Sequence, residues 1–450
     1  MSAIKQHVPD GFRQSEIGIF PTDWKINSLA EISTKITDGT HDTPKPIKEG
    51  IPFLTAIHVK ENHIAFESCY FLPKSVHDEI YKRCNPEYED ILMVNIGAGT
   101  GTTALVNVKY PFSLKNVALI KPDKKVSDGR FLNQVLSFLK DEILESLSAG
   151  GAQPFLSLSQ IGQINAPIPS KEEQTAIANA LSDVDALLTE LENLIAKKQA
   201  IKTATMQQLL TGKTRLPQFA TYTEGENQGA PKGKSKGTKP SELGEIPEDW
   251  DVSTIADISL VPMQNGLFYE PARKGKGVPL INVSDMYTSA PISVESLELF
   301  NASKTELKAF KVNEGDLFFT RSSIVPSGIA FCNVLPKSDK EVVFDSHLIR
   351  VRVNPKIADY NYVHLNCLAK HSRLHLIANS KTATMTTIDQ KAINCCPVLL
   401  PCKEEQSAIA TILSDMDNEI QTLEQRLAKT RQIKQGMMQQ LLTGRTRLPY

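Results

Sequence analysis

The chain has 450 residues, of which 41% are hydrophobic and 22% are charged, and its formal net charge at pH 7 is −1. This length exceeds what one hydrophobic core usually serves, so we expect roughly two to four compact units. The N-terminal sequence lacks an apolar signal region, and no uncharged run is apolar enough to cross a bilayer, so we expect a cytoplasmic protein without membrane segments.

Residues 1–165 predict a domain of mixed α-helix and β-strand. Strands are expected at the short apolar runs IPFLTAIHV (51–59), EDILMVNI (89–96) and VALIKP (117–122). A helix is expected at 131–147 because its apolar residues recur with helical spacing.

The sequence DGTHDTP (38–44) in this block contains Asp-Gly and Pro, which favour turns. No second histidine or carboxylate is evident at metal-ligand spacing from His41, so neither a metal site nor acid–base chemistry is expected. We interpret the segment as a loop that presents Thr40, His41 and Lys45 to a partner, with an inert turn as the alternative.

The segment LMVNIGAGTGTTALV (92–106) places three glycines after a predicted strand. This order resembles the cofactor loop of class I methyltransferases, in which glycines let the backbone approach the cofactor. The residues that follow are rich in β-branched types and then reach Pro111, so the required helix is poorly specified. The Asn/Asp-Pro-Pro motif of amino-methylating enzymes is also missing, because the chain has no Pro-Pro dipeptide. A strand–turn–strand is therefore favoured over an S-adenosylmethionine site.

Residues 166–217 predict one long amphipathic helix. Ser170 suits the N-cap, with Glu173 at the capping-box spacing, and Gly212 suits a C-terminal cap because glycine tolerates a positive φ. Residues 218–240 contain regularly spaced glycines and four lysines, which is typical of a flexible linker.

Residues 241–397 predict a second mixed domain, with strands at GVPLINV (277–283), GDLFFT (315–320) and SHLIRVRV (346–353) and a helix at 360–377. Residues 398–450 predict a second long helix.

The chain is an internal duplication. The segments 169–217 and 401–449 share 29 identities over 49 positions without a gap, and the only two tryptophans, Trp24 and Trp250, occupy equivalent places. Each half is thus a variable block followed by a nearly constant one. The expected fold class is α+β: two mixed α/β domains separated by two long helices that form an antiparallel coiled coil.

The coiled coil is predicted from a 3.5-residue apolar period, which keeps one stripe on one helix face. Lys198 and Thr430 interrupt the stripe, which is expected to resume at Ile201 and Ile433. A helix packed only on its own domain is the alternative. The predicted seam consists of Ile177, Leu181, Val184, Leu188, Leu191, Ile195, Ile409, Leu413, Met416, Ile420, Leu423 and Leu427.

These features together resemble the specificity subunit of type I restriction–modification enzymes. The resemblance rests on the duplicated helix sequences with their MQQLLTG ends, and on the two G-x-x-P-x-D-W entries that end at Trp24 and Trp250. It covers nearly the whole chain. It implies two target-recognition domains, each reading one half of a split DNA sequence, at 1–165 and 241–397. The helices at 166–217 and 398–450 would then set the gap.

The resemblance also implies partners. Two modification subunits that bind S-adenosylmethionine would dock on the assembly, and restriction subunits that use ATP and Mg²⁺ can join them. This chain itself would be non-catalytic, with no cofactor and no metal.

Charge argues against DNA binding at first sight, because 1–165 holds 17 basic and 19 acidic residues and 241–396 holds 16 and 18. Local clusters are therefore expected to contact phosphates, namely Lys45/Lys48, Lys124/Lys125, Arg273/Lys274/Lys276 and Lys381. Base contacts are expected from polar loop residues: Thr40, His41, Thr100, Gln153, Gln264, Arg321 and Ser322. A scaffold whose variable domains bind other proteins stays open as the alternative, and a methyltransferase is the less favoured one.

Overall fold

The computed structural model describes residues 8–147, 155–223, 233–288 and 290–449. The chain divides into two compact units of mixed α/β structure. Unit 1 comprises Met1–Asn193 and Gln425–Tyr450, and unit 2 comprises Leu194–Glu424. Each long helix is therefore shared between the two units. Within the described residues, no helix has the length and apolarity that a membrane crossing needs.

The described part of unit 1 contains thirteen strands, the beginning of the first long helix and the end of the second. Its strands are β1 (Phe12–Ser15), β2 (Gly18–Pro21), β3 (Lys25–Ser28), β4 (Ser33–Asp38), β5 (Ile51–Thr55), β6 (Val59–Lys60), β7 (His63–Ile64), β8 (Tyr70–Leu72), β9 (Ile91–Met93), β10 (Thr103–Leu105), β11 (Ser113–Lys115), β12 (Ala118–Pro122) and β13 (Asn165–Ile168). Its helices are α1 (Leu29–Ile32), α2 (Lys74–Arg83), α3 (Gly129–Phe138), α4 (Lys140–Leu147), α5 (Leu158–Gln163) and α6 (Lys171–Leu209).

Two sheets organise unit 1: an antiparallel one in the order β10-β9-β12-β4 and a mixed one in the order β11-β5-β8. The position of strand β12 between two hydrophobic cores explains why its sequence is a continuous apolar run. Ala118 and Ile120 belong to the core shared with α3 and α6, whereas Leu119 belongs to the core beneath β5 and β11. Both faces of this strand are buried, so alternation with polar residues is absent.

Unit 2 repeats this plan. Its strands are β14 (Thr238–Ser241), β15 (Gly244–Pro247), β16 (Asp251–Thr254), β17 (Gln264–Asn265), β18 (Lys274–Ile281), β19 (Glu298–Phe300), β20 (Asp316–Thr320), β21 (Ser322–Ser323), β22 (Cys332–Val334), β23 (Val343–Phe344), β24 (Leu348–Arg352), β25 (Lys381–Thr382), β26 (Thr386–Thr387) and β27 (Pro397–Leu400). Its helices are α7 (Lys304–Ala309), α8 (Tyr360–Leu368), α9 (Lys370–Ala378), α10 (Gln390–Asn394) and α11 (Lys403–Leu441).

The sheet orders of unit 2 match those of unit 1. The antiparallel sheet runs β17-β24-β20-β22, and a mixed sheet runs β19-β18-β23, with β18 and β23 parallel. The duplication seen in the long helices therefore extends to the divergent blocks. A further small sheet, β21-β26-β25, stands beside them in unit 2.

The predicted strands occur, with local differences at their ends. Strand β5 ends at Thr55, and the rest of the run 51–59 forms a 3₁₀ turn and the short strand β6. The predicted helices at 131–147 and 360–377 are each divided, at Leu139 and Ala369 respectively. The segment 92–106 forms an antiparallel pair, β9 with β10, which confirms the strand–turn–strand interpretation.

The predicted linker, 218–240, lies partly outside the described residues, since 224–232 are not described. At its C-terminal end the expectation of a flexible tether is wrong. Residues 238–240 belong to β14, which pairs with β15 across a tight turn.

The two long helices contact each other within each unit and run antiparallel there. As residue numbers rise along the first helix, the numbers of the residues that they contact on the second helix fall. In unit 1, Asp185 pairs with Lys434 at 2.6 Å and Glu192 with Arg431 at 2.6 Å. In unit 2, Lys198 Nζ lies 2.6 Å from Glu419, and Lys202 pairs with Asp417.

Most predicted seam residues are buried, and the remainder are half-buried. The predicted resumption of the stripe is wrong, because Ile201 and Ile433 are 40% and 49% exposed. Thr430 and Lys434 are buried instead. Lys202 and Lys434 thus continue the 3.5-residue spacing without a shift, and they pair with Asp417 and Asp185 on the opposing helix.

The sequences TGKTRLP and TGRTRLP end the two helices in equivalent sockets. In unit 1, Arg447 bonds Glu173 and Asp23, with Nη2 at 2.7 Å from Glu173 Oε2 and 2.9 Å from Asp23 Oδ2. The indole N–H of Trp24 donates to the same Glu173 oxygen at 3.2 Å. Gly444 has φ +67°, and a Cβ there would lie 2.4 Å from a Pro21 side-chain carbon. We call Trp24, Glu173 and Asp23 the unit 1 socket.

The unit 2 socket consists of Trp250, Glu405 and Asp249. Arg215 donates to the two oxygens of Glu405 at 2.6 Å each and to Asp249 at 2.8 Å. Trp250 donates to Glu405 at 3.1 Å. In each unit, therefore, the motif that ends one repeat's helix is bound by the other repeat's tryptophan and glutamate, which is why it occurs twice.

Candidate nucleic-acid interface

A concave cleft of about 640 Å³ opens in unit 2 at the ends of β17, β21 and β25. Three predicted DNA contacts, Arg321, Ser322 and Lys381, line it together, although they lie up to sixty residues apart in sequence. Arg321 is held through its backbone, since its N–H donates to His347 O at 2.7 Å and its carbonyl accepts from Ile388 N at 3.1 Å. Its side chain is exposed. A backbone fixed by hydrogen bonds thus presents an exposed guanidinium to the cleft.

The cleft also contains an amide pair that sequence reasoning missed. Gln390 Nε2 donates to Asn265 Oδ1 at 2.9 Å. This bond leaves the Asn265 NH₂ as a donor and the Gln390 carbonyl as an acceptor. One donor beside one acceptor matches the adenine edge in the major groove, and a guanidinium matches guanine.

His347 lies on the cleft wall and extends it toward a second depression lined by Phe268 and Lys274. Its Nδ1 lies 2.8 Å from Asp345 Oδ1, and its backbone N–H donates to the same oxygen at 2.7 Å. With Nδ1 as donor to the carboxylate, Nε2 is an acceptor. Lys381 has an 86% exposed side chain and lies 3.9 Å from Asp389, so its charge is available to a phosphate.

In unit 1 the loop 38–44 begins with a close backbone crossing at Gly39, where a Cβ would lie 2.0 Å from Leu114 O. His41 is exposed, with Nε2 3.0 Å from Asp38 and Nδ1 3.0 Å from Asn116. Thr40 accepts from the Asp42 N–H at 3.1 Å. The same crossing occurs in unit 2 at Gly266, after which Phe268 is 82% exposed. Both units therefore present a loop tip at the same point of the fold.

Several predicted contacts are already engaged within the protein. Gln264 Nε2 donates to Ala309 O at 3.0 Å, and Lys274 Nζ pairs with Glu298 at 2.8 Å. Arg273 donates to both oxygens of Glu306, with Nη1 at 3.0 Å, and packs on the Phe300 ring. This hydrogen bonding lowers the pKa of Glu306 to about 2.

Thr100 is not the exposed base contact that the sequence predicts. It is 2% exposed, and its hydroxyl donates to Gly97 O at 2.7 Å, so it closes the β9–β10 turn and does not face solvent. Gly97 and Gly101 of this turn have the positive φ values that glycine tolerates. Gln153 lies outside the described residues. The other predicted phosphate contacts are exposed: Lys45, Lys48, Lys124, Lys125 and Lys276.

Metal chemistry is not indicated in the described ranges, where no group of three or more His, Cys, Asp or Glu side chains is placed to hold an ion. The cysteines are free, and Cys84, Cys332, Cys367 and Cys396 are buried, as expected for core thiols. Burial raises the pKa of the Cys84 thiol to about 12.

Comparison with known proteins decides between the alternatives. The family model of the type I restriction modification DNA specificity domain matches residues 21–203 and 247–432. The chain belongs to this family. It carries two copies of the domain, one in each half of the duplication.

Relatives match over almost their full length. The EcoKI specificity subunit of Escherichia coli K12 is 23% identical over 95% of this chain and 90% of its own. The MjaVIII specificity subunit of Methanocaldococcus jannaschii is 24% identical over 95% of this chain and 94% of its own. The crystal structure of the type I S subunit from M. genitalium has the same fold, with a TM-score of 0.58, 13% identity and coverage of 97% and 98%. The chain is a DNA specificity subunit, a recognition component and not an enzyme.

Proposed function

We propose that each variable domain reads one half of a bipartite DNA target and that α6 and α11 set the gap between the halves as an antiparallel coiled coil. The domains would span 1–165 and 241–397, the helices 166–217 and 398–450. Two modification subunits would dock on the assembly, and restriction subunits can join it, with S-adenosylmethionine, ATP and Mg²⁺ bound by those partners.

The observation that carries the proposal is the cleft of unit 2. It gathers Arg321, Lys381 and the Asn265–Gln390 pair on one concave wall. Bidentate contacts of these side-chain types each discriminate between base pairs by about 1–3 kcal/mol. The match to a DNA specificity domain favours a DNA reader over a protein-binding scaffold at this surface.

The coiled coil is supported by the pairing within each unit. Asp185–Lys434 and Asp417–Lys202 are equivalent ion pairs at equivalent heptad positions. Polar residues inside a heptad seam fix register, because a shifted register would leave their charges unpaired. Successive major grooves on one face of B-DNA repeat about every 34 Å. A fixed helix register would therefore give a fixed gap.

Docking of partner subunits is supported by Ile201 and Ile433. These two isoleucines occupy the equivalent position of the two repeats, and the side chain of each is at least 40% exposed. Single exposed apolar residues are common, so the supporting observation is that the same exposed isoleucine recurs at the equivalent place of both helices.

The overall charge is not an obstacle under this arrangement. Phosphate contacts would come from lysines that are exposed in each unit, such as Lys45, Lys48 and Lys276, and from the modification subunits. These contacts position the protein on the duplex without reading sequence.

The test uses the chain together with its modification subunits. The complex is mixed with random duplex DNA, and the retained DNA is sequenced. We expect a bipartite motif with one fixed gap. Arg321→Ala should relax one half of the motif only, whereas Lys340→Ala, an exposed cation outside the cleft lining, should leave both halves intact. Retention without any enriched motif would refute the proposal.

A further inference from the structure

The loop that follows β21 presents two apolar side chains to solvent. Ile324 is 86% exposed and Val325 is 56% exposed. Single exposed apolar residues are common on protein surfaces and need no partner. This pair differs because the loop around it is fixed by buried and half-buried polar groups.

Arg373 fixes the far side of the loop. Its guanidinium donates to three carbonyl groups of the turn, Ser327 O at 2.9 Å, Ile329 O at 2.7 Å and Ala330 O at 2.6 Å. A planar guanidinium that bonds three backbone oxygens leaves the turn little freedom.

Gly328 fixes the middle of the loop. Its carbonyl accepts from Thr320 Oγ1 at 3.0 Å and from Tyr287 OH at 3.2 Å. A Cβ at this position would lie 2.6 Å from Ser323 Oγ, so the chain is packed as closely as glycine permits. Ile324 and Val325 therefore stand on a backbone that is already ordered. A contact made by ordered groups costs less conformational entropy than one made by a mobile loop.

The position of the loop identifies the occupant. Strand β21 pairs with β26, and Arg321, Ser322 and Thr387 of this small sheet line the cleft. Ile324 follows directly after β21, two residues beyond Ser322 and three beyond Arg321 of the cleft lining. The polyanion that fits such cations and also offers an apolar group is duplex DNA, whose major groove exposes the thymine C5 methyl.

We propose that Ile324, supported by Val325, recognises a thymine in the half-site of unit 2 by packing against its methyl group. This inference rests on the proposed function, because it requires that unit 2 reads DNA. It assigns one base of the target to a residue type that makes no hydrogen bond with its side chain.

The experiment replaces each thymine of the determined half-site by deoxyuridine, which removes only the methyl group and keeps the Watson–Crick edge. Affinity is measured with the chain bound to its modification subunits. One position should weaken binding about fourfold, as expected for loss of one buried methyl. Ile324→Ala should abolish this sensitivity, so that both duplexes bind alike. Ile357→Ala, which shortens another exposed isoleucine of unit 2, should keep it.

The outcomes separate the two proposals. If no bipartite motif is enriched, both the DNA-reading function and this inference are overturned. If a motif is found but its unit 2 half lacks thymine, or deoxyuridine has no effect, only the inference is overturned. Sensitivity that persists in Ile324→Ala also overturns it. Because Ile324 is exposed, the variant should fold, which an unchanged melting temperature would verify.

Discussion

Truncation of the unit 2 socket arginine, Arg215→Ala, should destabilise unit 2 strongly. Glu405 is 1% exposed, and Arg215 supplies two of its hydrogen bonds at 2.6 Å. Removal of the arginine would leave a buried carboxylate with the Trp250 N–H as its remaining donor of these three bonds. Breaking a buried ion pair from one side costs about 3–5 kcal/mol.

The unit 1 socket provides the matched comparison. Arg447 makes the same contacts, but its side chain is 39% exposed, against 10% for Arg215. Water can therefore reach the vacated position more easily in Arg447→Ala. We expect a cost of about 1–3 kcal/mol there, closer to that of an ordinary charged hydrogen bond. The two variants differ in solvent access and not in chemistry.

Urea unfolding measures both costs, because each socket contains one of the chain's two tryptophans. Trp24→Phe leaves Trp250 as the reporter of unit 2, and Trp250→Phe leaves Trp24 as the reporter of unit 1. Adding Glu405→Gln to Arg215→Ala should recover part of the loss, since a neutral amide is cheaper to bury unpaired. A cost below about 1 kcal/mol for Arg215→Ala, or an equal cost for Arg447→Ala, would refute the reasoning.

Three further predictions concern a helix cap, a half-buried ion pair and a phosphate contact. Gly444→Ala should destabilise unit 1 by about 1–3 kcal/mol in the urea assay, because the φ of Gly444 is +67° and Pro21 fills the space that a Cβ would need. Its control is Gly436→Ala in the open helix interior, which should stabilise unit 1 by about 0.5–1 kcal/mol in the same assay. Glu306→Gln should cost stability at pH 7; because the folded pKa is lowered from 4.5 to about 2, the difference from wild type should shrink as pH falls from 4.5 to 2 in acid titrations. Lys276→Ala should weaken all duplexes alike and reduce the salt slope of binding by about one, as measured by affinity against salt concentration.

Much of the fold could be predicted because the signals were local or repeated. The continuous apolar runs at 117–122 and 315–320 mark strands buried on both faces, and the duplicated blocks mark the long helices. The strand–turn–strand at 92–106 followed from β-branched residues after the glycines. Such features depend on neighbouring residues, which a single sequence displays.

The cleft of unit 2 could not be predicted in full because it is assembled from distant segments. Asn265 lies in β17 and Gln390 lies 125 positions later in α10, and the sequence does not predict that these two elements meet. Arg273 and Gln264 have suitable side chains but are engaged by neighbours within unit 2. Residue type alone does not reveal such prior engagement.

The sequence contains evidence for the two sockets that the prediction did not use. Glu173 was interpreted as a capping-box residue, although glutamate, tryptophan and the late arginine are identical in both repeats. Identity between copies at a buried ionic group indicates a shared structural role. The continuation of the helix contact at Lys202 and Lys434 was also not predicted. An apolar pattern cannot show which charged residues will pair with the other helix.

The composition of unit 1 from both ends of the chain, Met1–Asn193 and Gln425–Tyr450, has a consequence for biosynthesis. Unit 2 is one continuous stretch, Leu194–Glu424, so all of it is synthesised before the last segment of unit 1, Gln425–Tyr450. At about 5–20 residues per second, the nascent N-terminal domain waits on the order of ten to forty-five seconds for its last segment. During that interval Trp24 and Glu173 lack Arg447, so the first part to be translated is the last to mature. A nonsense codon near the 3′ end of the message would therefore damage the N-terminal half of the product.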